Sequence, residues 1–213
     1  MLFPSMCIDE FFKNPDDIVK YANTLTYRPA ESGRWPGVRS EPLHRINSDL
    51  HRTIGRKLLA LIWPNNVDEI TYTDGELYFQ KVSNDFVNEG WIHSDDADLT
   101  LIIYLSHHKN CGTSIYELNR ETIDYAVGEK RIEIFKTKNF KKEKMLVQKN
   151  NERYNETISF KSQYNRAICF DAFHYHGAHA YKEENVQEDR LTLVGFYKEF
   201  NFTKFGGVEA VRI

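Results

Sequence analysis

The sequence predicts a mainly β protein, a double-stranded β-helix (jelly roll) buttressed by two or more N-terminal helices. Three observations lead there. Two stretches of helical period stand near the start, and a series of short apolar runs bounded by turn residues follows. Aromatic residues are abundant, with 14 Phe, 12 Tyr and 3 Trp, as suits an interior built on strands. The length of 213 residues and hydrophobic fraction of 41% are consistent with one domain over 1–213. Within it the expected parts are helical support in 1–65, a β core in about 69–120 and 155–213, and a basic insertion at about 129–153.

Taken in order, Ile8 to Phe12 alternates weakly and reads as a first strand. Asn14-Pro15-Asp16-Asp17 is a helix entry, with Pro and acidic residues in the first turn. Ile18, Tyr21, Ala22 and Leu25 follow at helical spacing. Arg28 to Pro42, with three prolines and two glycines, reads as an ordered loop. A second helix is predicted from Glu41 or Leu43 to Leu61, its stripe made by Leu43, Ile46, Leu50, Ile54, Leu58 and Leu61. His44 and His51 on that helix are expected at or near the surface. Ile70 to Thr73, an Asp74-Gly75 turn and Leu77 to Val82 predict a hairpin. Leu99 to Leu105, Thr113 to Leu118, Ile158 to Phe160, Arg166 to Phe170 and Leu191 to Phe200 complete the strands.

Composition excludes several classes. A net charge of −3 gives no polyanion-binding signature. The first residues lack a basic region and a long apolar run, so no signal peptide is predicted, and no run is long enough to span a membrane. Cys7, Cys111 and Cys169 are odd in number and scattered without metal-ligand spacing, which predicts reduced thiols and a cytoplasmic protein. Glu129 to Arg153 carries nine Lys/Arg against four Asp/Glu. A substrate-facing lid or a nucleic-acid contact would fit that charge, but the scarcity of interleaved aromatics favours a solvated insertion.

Three segments carry chemistry. His93 and Asp95, two residues apart between apolar runs, project to one face if extended. Such a pair supplies two ligands of a 2-His-1-carboxylate facial triad, which holds non-haem Fe(II) and leaves positions open. The spacing alone is common by chance. Downstream, His174, His176 and His179 cluster after an apolar strand. His174 and His176 share parity and His179 does not, so at most two point inward from an extended segment. Finally, Arg190, Thr192 and Val194 lie on one face of the last strand, and Leu191, Leu193 and Gly195 on the other. If that face is buried, the Arg190 guanidinium needs an anion of matching geometry. Alternatively Arg190 ends the preceding loop and pairs with an acid such as Glu188 or Asp189.

This progression resembles the Fe(II)/2-oxoglutarate-dependent oxygenases of prolyl-hydroxylase-like type. The residues carrying the resemblance are His-x-Asp at 93–95, a distal His some eighty residues on, and Arg-x-Thr fourteen after that. The flanks match as well: Trp91-Ile-His-Ser-Asp-Asp96, then Ile103-Tyr-Leu105, then Cys111-Gly-Thr-Ser-Ile-Tyr116, and Asn165-Arg-Ala-Ile-Cys-Phe170. Asp9-Glu-Phe-Phe12 and Trp35-Pro-Gly-Val-Arg39 are similar to a small group of such proteins, often viral or bacterial. Most of the chain is covered, residues 129–153 least. Cys111 departs from the glycine often found there.

The resemblance implies that His93, Asp95 and His176 hold Fe(II). His176 is preferred to His174 for its distance from the Asn165-Arg166 strand, and His179 comes last. Arg190 would bind the C5 carboxylate of 2-oxoglutarate, with Thr192 adding a hydroxyl. Tyr104 resembles a strand tyrosine that donates to the same carboxylate; the other reading is an ordinary core tyrosine. Gln80 and Trp91 are candidates to line the cavity. The implied reaction consumes O2 and 2-oxoglutarate, releases succinate and CO2, and hydroxylates an unactivated C–H bond, with ascorbate as a possible reductant. The expected substrate is a small molecule or a protein or peptide side chain, acted on by a monomer or homodimer; no membrane or nucleic-acid partner is expected. The alternative is a non-catalytic cupin-like module that binds metal or ligand. Cupin-like hydrolase or isomerase chemistry would leave Arg190 without a role.

Overall fold

The computed structural model of the protein describes residues 3–29, 35–86, 89–119 and 140–202, with the backbone alone over 140–143. Among these residues ten strands form two antiparallel sheets. In chain order the elements begin with β1 (Met6–Ile8), α1 (Pro15–Thr24), β2 (Tyr27–Pro29), β3 (Val38–Ser40), α2 (Leu43–Ile46) and α3 (Ser48–Ile62). After a 3-10 turn at Val67–Glu69 come β4 (Ile70–Val82), β5 (Leu99–Tyr104) and β6 (Thr113–Leu118). The last are α4 (Phe140–Asn151), β7 (Tyr154–Phe160), β8 (Ala167–Asp171), β9 (Tyr175–Ala178) and β10 (Arg190–Phe202). The larger sheet has the order β1-β8-β5-β10-β4-β3-β2, the smaller β7-β6-β9. Two facing antiparallel sheets with helices on the outside of one are the double-stranded β-helix expected from the sequence.

The helices cover the outer face of the larger sheet. Ala22 of α1 and Leu43, Ile54 and Leu58 of α2 and α3 pack on Leu77, Phe79, Leu99, Leu101, Ile103, Leu191, Leu193 and Tyr197. Each buried aliphatic or aromatic side chain contributes roughly 1.5–3 kcal/mol. The other face of this sheet looks toward the smaller one. Between them Tyr104, Ile115, Phe160, Ile168 and Phe170 close one end, and a cavity opens beside them.

Several boundaries differ from the sequence expectation, each for a local reason. The predicted hairpin at Asp74-Gly75 is one continuous strand, β4. It pairs with β10 from Arg190↔Val82 to Phe202↔Ile70, interrupted only at Thr73 and Glu199. Gly75 is needed for space rather than for a turn: a Cβ there would lie 2.6 Å from the Tyr72 ring and 3.1 Å from the Tyr197 ring. The single helix predicted over 41–61 is broken at Asn47. Its non-helical backbone, at φ −157° and ψ 78°, lets Oδ1 accept from Leu50 N at 3.0 Å, so the residue caps α3. The first strand is Met6–Ile8, not Ile8–Phe12. Glu10 turns the chain at φ 55°, and the Phe11 and Phe12 amides then donate to the Asn165 carbonyl and side chain.

The predicted loop Arg28–Pro42 contains β2 and β3, which extend the larger sheet; residues 30–34 lie outside the described residues. The basic insertion differs most. Residues 129–139 lie outside the described residues, but 140–151 form α4, whose Val147 packs with Trp91 beside His93. Its end is thus docked rather than solvated. No helix among the described residues is long and apolar enough to cross a membrane. The three cysteines are free; burial pushes the Cys111 and Cys169 thiols up, to about 11 and about 12.

Candidate metal centre

The backbone brings two distant histidines side by side. The segment leading into β5 runs antiparallel to β9: Gly90 N donates to Ala178 O at 2.8 Å, and His93 and His176 exchange both backbone hydrogen bonds, at 3.0 and 2.7 Å. Cross-strand partners share a face, so the two imidazoles meet with ring centroids 4.5 Å apart. Asp95, two residues on, keeps the parity of His93, and its amide donates to Ala172 O at 2.9 Å. One ligand atom from each of His93, Asp95 and His176 lies within 4.8 Å of the others. The carboxylate spans the pair, Oδ1 at 3.3 Å from His93 Nε2 and Oδ2 at 3.1 Å from His176 Nε2.

The surroundings orient each ligand. His93 Nδ1 lies 2.7 Å from Trp91 O, and His176 Nδ1 lies 2.9 Å from His174 O. A carbonyl only accepts, so both Nδ1 atoms carry hydrogen and both Nε2 atoms turn to the centre. This is the outer-shell arrangement that metal-binding imidazoles require. Thr100 Oγ1 donates to Asp95 Oδ2 at 2.8 Å, and the Phe170 ring packs against His176. Burial acts to raise the Asp95 pKa, but the charges and hydrogen bonds of His176 and His93 outweigh it and hold the carboxyl well below the usual carboxylate range.

The other two clustered histidines stay out. His174 is exposed and contributes only its carbonyl. His179 reaches Ser114 and Ser159 and lies 3.7 Å from Glu156, away from the centre.

Arg190 and Thr192 line the same cavity as the three ligands, a space of about 400 Å³ between the sheets. Arg190 is 5% exposed. Its Nε donates to Cys111 O at 3.2 Å, and its guanidinium lies against the rings of Tyr104 and Tyr181. The neighbouring acids turn elsewhere, Glu188 to His107 and Asp189 to the Asn84 amide. Among the described residues no carboxylate pairs with Arg190, so the loop-end alternative does not hold. Thr192 is fully buried and its Oγ1 has no hydrogen-bond partner among the described residues. A buried cation and an orphaned hydroxyl on one cavity wall are suited to an acid group from outside the protein.

Tyr104 is placed differently from expectation. Its ring shares the cavity-facing side of β5, but its hydroxyl donates to Thr113 Oγ1 at 3.0 Å, and Thr113 rather than Tyr104 lines the cavity. Burial pushes its phenol up to about 12. Gln80 and Trp91 line the cavity as expected. Trp35 and Arg39 were not singled out as wall residues by the sequence. Arg39 Nε donates to Gln80 Oε1 at 2.9 Å and its guanidinium stacks 4.3 Å from the Trp35 ring centroid. Arg39, Gln80, Thr192 and Tyr104 form one cross-strand row through β3, β4, β10 and β5. The signal available for Thr100 was parity alone, since it alternates with the buried Leu99 and Leu101; Thr113, between Gly112 and Ser114, carried no such signal.

The donor set of two imidazoles and one carboxylate fits a non-haem iron of the facial-triad type, and the wall beside it fits a 2-oxo acid. Solved structures share the fold. SnoN, titled a non-heme alpha-ketoglutarate-dependent epimerase from nogalamycin biosynthesis, superposes with a TM-score of 0.55 at 12% identity, over 96% of this chain and 82% of that one. EvdO2 from Micromonospora carbonacea var. aurantiaca gives 0.56 at 10% identity over 93% and 87%. HygX from Streptomyces hygroscopicus, solved with nickel and 2-oxoglutarate, gives 0.53 at 11% identity over 96% and 85%. At these identities the likeness is one of fold, that of the Fe(II)/2-oxoglutarate oxygenases. No curated protein matches the chain. The family model described as "Family of unknown function (DUF6445)" matches residues 3–197, and the chain belongs to that family.

Proposed function

We propose that the protein is an Fe(II)- and 2-oxoglutarate-dependent dioxygenase that hydroxylates a small-molecule or protein side-chain substrate. The observation that carries this is the convergence of His93, Asp95 and His176, from segments far apart in the chain, beside a buried arginine with no carboxylate partner among the described residues. His93, Asp95 and His176 would hold the iron. Arg190 would hold the distal carboxylate of 2-oxoglutarate, and Thr192 would give it a hydroxyl that otherwise has no partner. Thr113, fixed by Tyr104, would complete that wall. Bound together, the metal and co-substrate supply the oxidation: one oxygen atom of O2 enters succinate as CO2 leaves, and the other enters the hydroxylated C–H bond.

The protein's own contribution is orientation and exclusion of water. Thr100 fixes one carboxylate oxygen of Asp95, and the two backbone carbonyls fix the imidazole planes. The same cavity is also walled by Trp35, Arg39 and Phe196, and the substrate would sit in the part of it that metal and co-substrate leave free.

The test is Fe(II)- and O2-dependent conversion of 2-oxoglutarate to succinate, which slow uncoupled turnover makes measurable without the substrate. It should be present in the wild-type protein and absent in Asp95→Ala. Binding of Mn(II) and 2-oxoglutarate without any succinate release would instead favour the non-catalytic module.

A further inference from the structure

The segment that carries His93 has an unusual neighbour. On one side it pairs with β9; on the other, among the described residues, it meets no strand but two asparagines at the end of α4. Asn151 Nδ2 donates to Gly90 O at 2.9 Å, and Ile92 N donates to Asn151 Oδ1 at 3.1 Å. Asn150 Nδ2 donates to Ile92 O at 3.0 Å and touches Asn151 Oδ1 at 3.1 Å. Gly90 O can only accept and Ile92 N can only donate, so the orientation of the Asn151 amide is fixed by its partners.

The pattern is that of a parallel ladder. In a parallel pair, one residue donates to the carbonyl before its partner and accepts from the amide after it. The Asn151 carboxamide does this around Trp91 and so stands in for the peptide group of a missing strand. With it, the carbonyls from Gly90 to His93 are all satisfied: by Asn151, by His93 Nδ1, by Asn150 and by His176 N. Asn150 is 2% exposed, and Val147, one turn earlier, packs on Trp91.

We infer that Asn150 and Asn151 are positioning residues for the metal centre. They clamp residues 90–92 so that Trp91 O stays where it orients the His93 ring, and α4 is a structural part of the site. This rests on the proposed metal-binding role of His93, Asp95 and His176. Only a side chain with both a donor and an acceptor can bridge Gly90 O and Ile92 N. Asn151→Asp keeps the shape but replaces the donor with an anion facing a carbonyl, and Asn151→Leu removes both groups.

Two measurements on the full chain test this separately. In the metal-free protein, amide exchange at Ile92 should accelerate in Asn151→Asp and Asn151→Leu, with β4 and β10 keeping wild-type protection. In the Mn(II)-loaded protein, the Mn(II) Kd should rise roughly 10–100-fold in both, the range seen when outer-shell partners of metal ligands are lost. The Mn(II) electron paramagnetic resonance lines should broaden as the His93 ring loses its fixed plane, and Asn150→Ala should give a smaller shift in the same direction. Leu58→Ala, on the far face of the larger sheet, should lower the Tm yet leave the Mn(II) Kd and line shape at wild-type values. Wild-type Ile92 exchange, or a wild-type Mn(II) Kd and line shape, in both Asn151 variants would overturn the inference. If the wild-type protein itself binds no Mn(II), the metal-centre assignment falls, while the exchange data still decide whether the asparagines clamp the segment.

Discussion

Adjacent residues of β10 live in opposite environments. Leu191 and Leu193 enter the core beneath the helices, whereas Arg190, Thr192 and Val194 face the cavity between the sheets. One side packs almost wholly through apolar contacts, the buried Tyr197 hydroxyl excepted. Among the described residues, the other holds a buried guanidinium with no carboxylate partner and the Thr192 hydroxyl with no hydrogen-bond partner. Under the proposed function the difference teaches that one face serves stability and the other would serve a ligand, because polar groups left unsatisfied lower stability and would gain their partners on binding.

Substitutions on the two sides should therefore separate stability from binding. The largest effect is expected on the cavity side: Asp95→Ala removes the carboxylate that bridges both imidazoles, and both Mn(II) binding and succinate formation should be lost, as metal titration and product assay would show. Leu193→Ala on the helix side should cost about 2–5 kcal/mol in denaturant unfolding, while the surviving folded fraction binds metal normally. Arg190→Met should weaken 2-oxoglutarate by about 10–100-fold in calorimetric titration, the worth of a charge-assisted contact of about 1.5–3 kcal/mol. Its Tm without ligand should equal or exceed that of the wild type.

Thr192→Val is a smaller perturbation of the same face. It replaces an unpartnered hydroxyl by a methyl, so stability should hold or rise by up to about 1 kcal/mol as 2-oxoglutarate binding weakens several-fold. Smallest of all, Asn47→Ala removes the cap of α3 and should cost about 1 kcal/mol by thermal unfolding, with no change in either ligand. If Arg190→Met instead destabilised the protein as Leu193→Ala does, the division between the faces would fail.

That division was legible in the sequence, since period-two alternation in β10 and β5 sorts each residue to a face without any knowledge of the partner strands. The triad was legible for a related reason. His93, Asp95 and His176 each sit where an extended segment aims them, and the motif resemblance supplied the pairing across the chain. What alternation cannot show is length and neighbourhood. Asp74-Gly75 looks like a turn, yet twelve residues of β10 pair in register with β4 and the Tyr72 and Tyr197 rings take up the glycine's space. Asn47 looks like one more polar position on a helix until its side chain turns back to cap Leu50 N. Asn150 and Asn151 lie in a stretch whose charge reads as solvated, and their partners are almost sixty residues away. Side-chain-to-backbone contacts over that separation leave no local periodicity.

The order of the larger sheet bears on how the chain is made. β10 is the last of the described strands, yet it fills the middle position, between β5 and β4. Until it leaves the ribosome, the two strands beside it present raw edges, each able to zip to another nascent chain. Closure waits on contacts that span more than a hundred residues, so folding should be slow, chaperone-sensitive and essentially all-or-none, and a truncation just before Arg190 should yield inclusion bodies rather than a smaller soluble fragment.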